Sequence, residues 1–426
     1  MERRTFLVGS TTALSALGAN EKVNIAVVGV GGRGKAHVRE YLAQPEANVV
    51  AVCDVNTAQT ERAAAMVEKA TGRKPKVYED MRKLFEDKDI DAISSATPNH
   101  WHALTGIWAM QAGKDVYGEK PAAYNMFESR QLLACARKHN RICQIGMQSR
   151  STPHKMKAIE LLQNGAIGKV YLAKGLCFKR RVSIGRTPVE PVPPGVNWDL
   201  FLGPAPMRPF SKNRFTYTWH WFWDTGNGDI GNQGIHEMDI ARWGLGVGAP
   251  KSVVSTGGKY LYDDDQETPN TQIATFDYGD KELMFEVRGL FTGGEGNITG
   301  TGQGFVGNLF FGEKGYMSVD QAGFSIFLGE KREPGEKMQA GRAEGTGLHM
   351  ANFIKAVKSR NYQDLNGDVE KGVDSVDLVH LANISYRLGR RLNYDGAKHA
   401  FVNDAEANVM RSRPKYRAPY VVPEKV

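Results

Sequence analysis

Three glycines and one aspartate near the start of the chain have the spacing of a site for a phosphate and a ribose. Residues 23–34 read VNIAVVGVGGRG, an apolar run that leads into Gly29-x-Gly31-x-x-Gly34, and Asp54 follows about 20 residues later. Gly29 would make the tight turn after a strand, Gly31 would let the backbone approach a pyrophosphate, and Gly34 would let a helix pack close to the sheet. The pyrophosphate would lie at the helix N-terminus, where unpaired N–H groups favour an anion. Two further contacts are predicted from this loop, Gly32 and Arg33.

Asp54 indicates which dinucleotide would bind. It follows the apolar run NVVAVC, so it would stand at the end of a second strand. There its carboxylate can accept hydrogen bonds from both hydroxyls of the adenosine ribose, whereas it would repel a 2′-phosphate. The sequence therefore predicts NAD, rather than NADP, as the cofactor.

Further polar side chains stand at the ends of later apolar runs. IDAISSATP at 90–98 leads into NHWH, DVYGEKP occupies 115–121, and RICQIGMQSR occupies 141–150. In open α/β sheets, ligands bind outside the carboxyl ends of the strands. We therefore predict further cofactor contacts from these strand ends, namely Thr97, Pro98, Asn99, His102, Glu119, Lys120 and Gln148.

The elements that would position these residues alternate between strands and helices from Glu21 to about Ile145. This order predicts a parallel sheet that is covered on both faces. Later in the chain, TQIATFDYG, KELMFEVRGL and GNLFFGEKGYMSVD have the patterns of strands in a large antiparallel or mixed sheet. A length of 426 residues also favours two domains, because single cores stop growing below that size.

Composition argues against several other classes of protein. The formal net charge is +8, but Lys and Arg are spread along the chain, so we expect no nucleic-acid partner. No two cysteines are spaced as CxxC, so we expect neither a disulfide framework nor a metal site. No apolar run is long enough to predict stable insertion into a membrane. The four cysteines are Cys53, Cys135, Cys143 and Cys177.

Residues 1–20, MERRTFLVGSTTALSALGAN, have the pattern of an export signal. The segment has a charged start, a short apolar stretch and small residues at its end. Arg3 and Arg4 followed by Thr-Phe-Leu resemble the twin-arginine signature. We therefore expect a periplasmic protein, and a short disordered tail on a cytoplasmic protein is the alternative.

Several motifs resemble, in the same order, those of the Gfo/Idh/MocA family, the relatives of glucose-fructose oxidoreductase and inositol dehydrogenase. The motifs are GVGGRG, CDVN, ATPNHWH, GKDVYGEKP and GIHEMDIARW, and the resemblance spans roughly residues 21–390. It implies the α/β class, with an N-terminal Rossmann domain over 21–145 and a C-terminal α+β domain over 146–395. The second domain would carry a large open mixed sheet, which often builds a homo-oligomer interface. Residues 396–426 are then predicted to form a polar tail.

The resemblance also implies the catalytic residues. The Lys of E-K-P and the His of the G-x-H helix act on the reacting hydroxyl in this family, and here they are Lys120 and His236. The chemistry suits these types, because His titrates near neutrality and Lys can polarise an oxygen. Relatives usually carry Asp four residues before this His, where this chain has Asn232, so a proton relay through that position is in doubt. Asp229 and Asp239 are possible substitutes.

The segment FTYTWHWFWDTGNGD at 215–229 indicates a carbohydrate substrate. Aromatic faces suit the C–H surfaces of sugar rings, and nearby polar groups can bind hydroxyls. A sugar or polyol dehydrogenase is the leading hypothesis, and an NAD-dependent, redox-neutral glycosidase and a non-catalytic nucleotide-bound regulator are the alternatives. Lys120 favours the dehydrogenase, because such glycosidases tend to replace that lysine. The predicted substrate contacts are Arg150, Trp219, His220, Trp221, Trp223 and Asp229.

Overall fold

The computed structural model describes residues 22–296, 298, 304–341 and 345–426, so the predicted export signal at 1–20 lies outside the described residues. Within them, the N-terminal part forms a parallel sheet of six strands in the order β3-β2-β1-β4-β5-β6. The strands are β1 (Val23–Val28), β2 (Ala47–Cys53), β3 (Lys76–Tyr78), β4 (Ala92–Ser95), β5 (Asp115–Gly118) and β6 (Cys143–Ile145). The helices here are α1 (Gly32–Leu42), α2 (Thr57–Thr71), α3 (Met81–Glu86), α4 (His102–Gln111), α5 (Met126–Lys138) and α6 (Pro153–Gln163).

The predicted Rossmann architecture and the second, mixed sheet are both present. In the described part of the chain the second sheet has ten strands in the order β14-β13-β12-β11-β7-β10-β9-β8-β15-β16. Strands β7 and β10 pair in parallel, whereas β8 and β9 pair antiparallel. The strands are β7 (Val170–Lys179), β8 (Ser252–Gly258), β9 (Thr271–Asp277), β10 (Glu282–Arg288), β11 (Gly304–Gly312), β12 (Gly315–Asp320), β13 (Gly323–Leu328), β14 (Glu333–Gln339), β15 (Leu392–Asp395) and β16 (Ala400–Phe401). The remaining helices are α7 (Trp198–Leu202), α8 (Gly228–Asn232), α9 (Gly234–Leu245), α10 (Gly345–Ser359), α11 (Val369–Leu388) and α12 (Ala405–Val409).

Helix α10 joins the N-terminal sheet, although the sequence assigned it to the second domain. Met350 and Phe353 are buried in one cluster with Val23, Ile25 and residues of α1 and α2. A parallel sheet needs helices on both faces, and α10 completes one of these layers. The boundary at residue 146 therefore does not separate two independently folded segments.

The segment 396–426 differs from the predicted polar tail. Its β16 pairs with β15, and Tyr420 and Val422 are each only 3% exposed. The Tyr420 ring lies 5.4 Å from that of Trp101, at the end of the N-terminal sheet. The end of the chain thus returns to the first domain.

Among the described residues, no helix is both long and apolar enough to cross a membrane. All four cysteines are buried and free.

Candidate functional site

The loop between β1 and α1 has the shape that a pyrophosphate needs. Gly29 adopts a φ of +76°, and a Cβ there would lie 2.8 Å from the Ala96 carbonyl oxygen. A Cβ on Gly34 would lie 1.7 Å from the Gly29 carbonyl oxygen, so only glycine lets α1 pack this close. A Cβ on Gly31, the residue before α1, would meet nothing within 4 Å. The loop is therefore closely packed at Gly29 and Gly34 and open at Gly31, where the N-terminus of α1 favours an anion.

Asp54 lies beside this loop at the end of β2. Its Oδ2 accepts a hydrogen bond from the Val30 N–H at 2.8 Å, and its Oδ1 accepts one from the Asn56 N–H at 2.9 Å. Burial raises the pKa of Asp54 to about 6, although these backbone N–H groups act to lower it. The carboxylate is therefore mainly ionised at neutral pH, as recognition of a ribose diol requires.

A cavity of about 550 Å³ opens from the glycine loop along the carboxyl ends of the strands. Its volume is in the range of cofactor and ligand sites. The N-terminal domain contributes Gly29, Gly31, Gly32, Arg33, Asp54, Asn56, Gln59, Thr97, Pro98, Asn99, Trp101, His102, Glu119 and Lys120 to the lining. The opposite wall includes Leu200, Phe201, Phe215, Thr216, Tyr217, Trp219, His220 and Asn232. The residues present thus fit a dinucleotide.

Two predicted cofactor residues lie behind this lining. Gly34 packs against Gly29, and the Gln148 amide donates to the Tyr117 hydroxyl at 2.9 Å and to Glu119 Oε1 at 3.0 Å. Gln148 therefore supports Glu119 rather than lining the cavity.

Glu119 connects the glycine-loop helix to the end of β5. Its Oε1 accepts hydrogen bonds from Arg33 Nε at 2.8 Å and from His37 Nε2 at 2.9 Å. Burial acts to raise the pKa of Glu119, but Arg33 and His37 hold it well below its usual range. Glu119 is thus an anion that fixes the backbone from which the next residue, Lys120, projects.

Lys120 bridges the two domains inside the cavity. Its Nζ donates to the Asn232 carbonyl oxygen at 2.6 Å. Burial lowers the pKa of Lys120, and Arg33 and Arg181 act in the same direction, whereas Glu119 and Asp229 oppose them. The amine therefore exchanges its proton closer to neutral pH than an exposed lysine does.

His236 is half-buried on α9. Burial lowers the pKa of His236 well below its ordinary value, and the charge of nearby Lys120 lowers it further. The imidazole is thus neutral, and it lies near enough to Lys120 for that charge to act on it, although His236 is not part of the described cavity lining.

Asp229 supplies a second carboxylate, after that of Glu119, that acts on Lys120. This side chain is 3% exposed and accepts hydrogen bonds from Arg181 Nε at 2.9 Å and Nη2 at 2.6 Å. The Asn232 amide donates to the Tyr217 hydroxyl at 2.8 Å and approaches Asp229 Oδ1 at 3.4 Å. The Asn232 amide is therefore part of a hydrogen-bonded network that includes the Asp229 carboxylate.

Asp239 and Arg150 are placed elsewhere, contrary to their predicted roles. Arg150 Nη2 donates to Asp239 Oδ1 at 2.7 Å, and the two side chains are 5% and 1% exposed. Ser375 Oγ donates to the same oxygen at 2.7 Å, and the Arg150 guanidinium lies 4.7 Å from the Trp243 ring. The pair is an internal ion pair outside the cavity lining, so neither residue is free to bind substrate or to serve as a base.

Only part of the aromatic segment lines the cavity. Trp219 and His220 line the cavity with rings stacked at 3.6 Å. Trp221 lies 5.3 Å from the Arg181 guanidinium, and Trp223 lies 5.2 Å from that of Arg387. Trp221 and Trp223 are not part of the described lining, so they anchor the segment instead.

The sequence reasoning did not assign three residues that organise the site. His37 holds Glu119, Arg181 holds Asp229, and the Tyr217 hydroxyl accepts from Arg181 Nη1 at 3.2 Å. Tyr217 had a signal, because it lies in the aromatic segment. The pairing of Arg181 with Asp229 could not be predicted, since the two are 48 residues apart in sequence.

Comparison with known proteins gives two matching family models. The Gfo/Idh/MocA oxidoreductase model for the NAD-binding Rossmann fold matches residues 23–147. The model for the family's C-terminal alpha/beta domain matches residues 157–264 and 339–422. The second match includes most of the segment that sequence reasoning treated as a tail.

Relatives with curated names include a glycosyl hydrolase family 109 protein of Saccharopolyspora erythraea. It is 27% identical over 264 residues, and these residues are 61% of this chain and 50% of the relative. Levoglucosan dehydrogenase of Pseudarthrobacter phenanthrenivorans is 28% identical over 241 residues, 55% of each chain. The chain thus spans about half the length of the curated relatives it matches.

Among solved structures, the WlbA dehydrogenase from Bordetella pertussis, in complex with NADH and UDP-GlcNAcA, has the same fold. The TM-score is 0.64 at 20% identity, and the alignment covers 88% of this chain and 99% of that one. The match to the NAD-binding family model and the glycine loop with Asp54 agree on the cofactor, which is NAD. The chain belongs to the Gfo/Idh/MocA oxidoreductase family, with an N-terminal NAD-binding Rossmann domain and a C-terminal α/β domain.

Proposed function

We propose that the chain is an NAD-dependent oxidoreductase that oxidises a secondary hydroxyl of a sugar, polyol or glycoside. The observation that carries this proposal is the position of Lys120, whose Nζ lies in the dinucleotide cavity 2.6 Å from the Asn232 carbonyl oxygen. The amine is half-buried, and a substrate hydroxyl that replaced this contact would meet a group able to exchange a proton.

Bound NAD supplies the acceptor for the hydride that leaves the carbinol carbon. The residues of this chain must therefore take up the hydroxyl proton. Burial lowers the pKa of Lys120, so a larger share of the amine is neutral and can accept that proton. His236 is a neutral imidazole in the same neighbourhood and can pass the proton onward.

Tyr217 and the adjoining rings support a carbohydrate substrate. The Tyr217 hydroxyl accepts hydrogen bonds from Asn232 and from Arg181, so its own hydrogen points away from both donors and is available to a ligand oxygen. Trp219 and His220 offer stacked rings beside it. The names of levoglucosan dehydrogenase and of the WlbA complex with UDP-GlcNAcA agree with this class.

A single-turnover experiment tests the proposal. Lys120→Met should lower the rate at which a sugar reduces the bound cofactor by about 10²-fold or more, which is the usual effect of removing a positioned acid or base. The matched control is Lys157→Met, because Lys157 is an exposed lysine that pairs with Glu160 on α6. NAD content should be the same in both variants. Turnover by Lys120→Met at the native rate would refute the role of this amine.

A redox-neutral glycosidase is the second candidate, and the similarity to the glycosyl hydrolase family 109 protein favours it. In that cycle the substrate is oxidised, loses its aglycone by elimination, gains water and is reduced again. Cleavage of a glycoside in heavy water would place deuterium next to the oxidised carbon. Accumulation of a keto-sugar with an added electron acceptor would support the dehydrogenase instead.

Three features stay predictions. They are export through a twin-arginine signal, a periplasmic location and a homo-oligomer formed through the C-terminal sheet. Tyr171 and Ile273, on β7 and β9, are 51% and 41% exposed, and such apolar side chains on a sheet face suit an interface.

Outside the cytoplasm there is no pool of free NAD, so an exported enzyme would need to keep its cofactor.

A further inference from the structure

We propose that residues 195–203, called the strap here, close over the dinucleotide cleft, and that Arg417 and Tyr420 latch the strap, so that bound NAD exchanges slowly. The proposal rests on NAD binding and adds a group of residues outside the glycine loop to the cofactor site. The strap contains α7 and has contacts on both sides of the cleft.

The first end of the strap is fixed beside the ribose site. The Gly195 carbonyl oxygen accepts a hydrogen bond from the Thr57 N–H at 2.9 Å, and the Asn197 N–H donates to the Val55 carbonyl oxygen at 2.8 Å. Val55 follows Asp54 directly, at the end of β2. The strap therefore begins next to the carboxylate that binds the adenosine ribose.

The second end is fixed on the other side of the glycine loop, beyond the end of β4. Trp101 Nε1 donates to the Leu200 and Phe201 carbonyl oxygens, both at 3.0 Å. His100 Nε2 lies 2.9 Å from the Phe201 carbonyl oxygen. Strand β1 lies between β2 and β4 in the sheet, so the strap crosses the end of β1, where the glycine loop starts. The Leu200 and Phe201 residues line the cavity below.

The latch comes from the end of the chain. Arg417 donates from Nε to the Gly203 carbonyl oxygen at 2.9 Å and from Nη2 to the Asp199 carbonyl oxygen at 2.7 Å. The Tyr420 hydroxyl donates to Asp199 Oδ2 at 3.0 Å, and this tyrosine is 3% exposed. Hydrogen bonds from a charged donor are stronger than neutral ones. Two backbone carbonyls and one carboxylate of the strap are thus held by a distant segment.

These contacts have a kinetic consequence. A dinucleotide that extends from Asp54 to Lys120 passes beneath a segment that is bonded on both sides of the cleft. For release to occur, the strap must lift, and lifting requires the hydrogen bonds of the latch to break first. Loss of the latch should therefore increase the rate of cofactor exchange, and it should have little effect on the contacts of the glycine loop.

The experiment measures exchange of NAD in the full chain. Protein purified without added cofactor is mixed with excess isotope-labelled NAD, and the label bound to protein is followed by mass spectrometry. Native protein should exchange slowly. Arg417→Ala should exchange at least about ten-fold faster, which corresponds to about 1.4 kcal/mol. Lys415→Ala, which removes an exposed positive charge from the same segment, should exchange like the native protein.

A second variant distinguishes loss of the latch from misfolding. Tyr420→Phe keeps the buried ring and removes only the hydrogen bond to Asp199, so it should also exchange faster while its melting temperature changes little. Native protein that exchanges within mixing time would overturn the strap proposal, and so would folded Arg417→Ala and Tyr420→Phe variants that exchange like the native protein. If a sugar reduces the cofactor but the cofactor exchanges rapidly, the proposed function is supported and the strap proposal is wrong. If exchange is slow and depends on the latch but no sugar reduces the cofactor, the strap proposal is supported and the proposed function is wrong.

Discussion

Replacing Asp54 by asparagine tests whether one carboxylate selects NAD over NADP. In the native protein its two oxygens accept N–H groups of Val30 and Asn56, which hold the carboxylate at the edge of the glycine loop. An amide keeps one carbonyl oxygen for these contacts but carries no charge. Asp54→Asn should therefore retain the loop and lose the repulsion toward a 2′-phosphate.

The expected magnitude follows from the position of the carboxylate. Two unit charges about 4 Å apart interact by about 1 kcal/mol in water and about 4 kcal/mol at an effective dielectric constant of about 20. Asp54 is half-buried in the cavity wall, so we expect an intermediate value of about 2–3 kcal/mol. At about 1.4 kcal/mol per factor of ten, the ratio of NAD to NADP affinity should fall by about 30- to 150-fold.

The assay is an equilibrium competition. Each protein is incubated with NAD and NADP together, and the retained nucleotides are measured after separation. Burial raises the pKa of Asp54 to about 6, so the native preference for NAD should fade as the pH drops through that value. The 2′-phosphate itself titrates near pH 6, so the informative quantity is the difference between the native and Asp54→Asn profiles. If the native and Asp54→Asn ratios agree within about two-fold at about pH 8, where electrostatic preference should be complete, the carboxylate does not select NAD over NADP.

Three further substitutions test the site and its surroundings. His236→Ala should slow sugar-dependent reduction of bound cofactor by about 10²-fold or more without loss of NAD, and native single-turnover rates would remove it from the mechanism. Asn232→Asp should shift the pH–rate profile toward higher pH, because a new carboxylate raises the pKa of Lys120, and an unshifted profile would contradict that coupling. Arg150→Ala should lower the free energy of unfolding by about 3–5 kcal/mol in denaturant titrations, because Asp239 would remain buried without its partner. A loss below about 1 kcal/mol would contradict this structural role.

The parts of the site that could be predicted from sequence are those encoded locally. Gly29, Gly31 and Gly34 act through backbone conformation and close packing within one strand–turn–helix unit, so their spacing alone indicates their roles. Lys120 could be placed in the cavity for a related reason, because the carboxyl ends of parallel strands meet at one edge. Neither inference needed the identity of the distant residues, such as Asn232, that complete the site.

The remaining parts depend on contacts between distant segments. Arg150 and Asp239 are 89 residues apart, and nothing in their local sequence indicates that each neutralises the other. The end of the chain is rich in polar residues and proline, and its contribution comes from a few side chains such as Tyr420 that fit the first domain. Helix α10 lies within the predicted second domain in sequence, and its packing on the first sheet depends on residues such as Val23 and Ile25 that are far from it along the chain.

We propose, above all, that this chain uses NAD held in its cleft to oxidise a carbohydrate hydroxyl. The most direct measurement is the nicotinamide absorbance of protein purified without added cofactor, recorded as monosaccharides, polyols and glycosides are added one at a time. We expect that nicotinamide is present and that at least one sugar reduces it once, with the reduced cofactor remaining on the protein through gel filtration. A protein that contains no nicotinamide, and in which no sugar reduces either bound or added NAD, would contradict it.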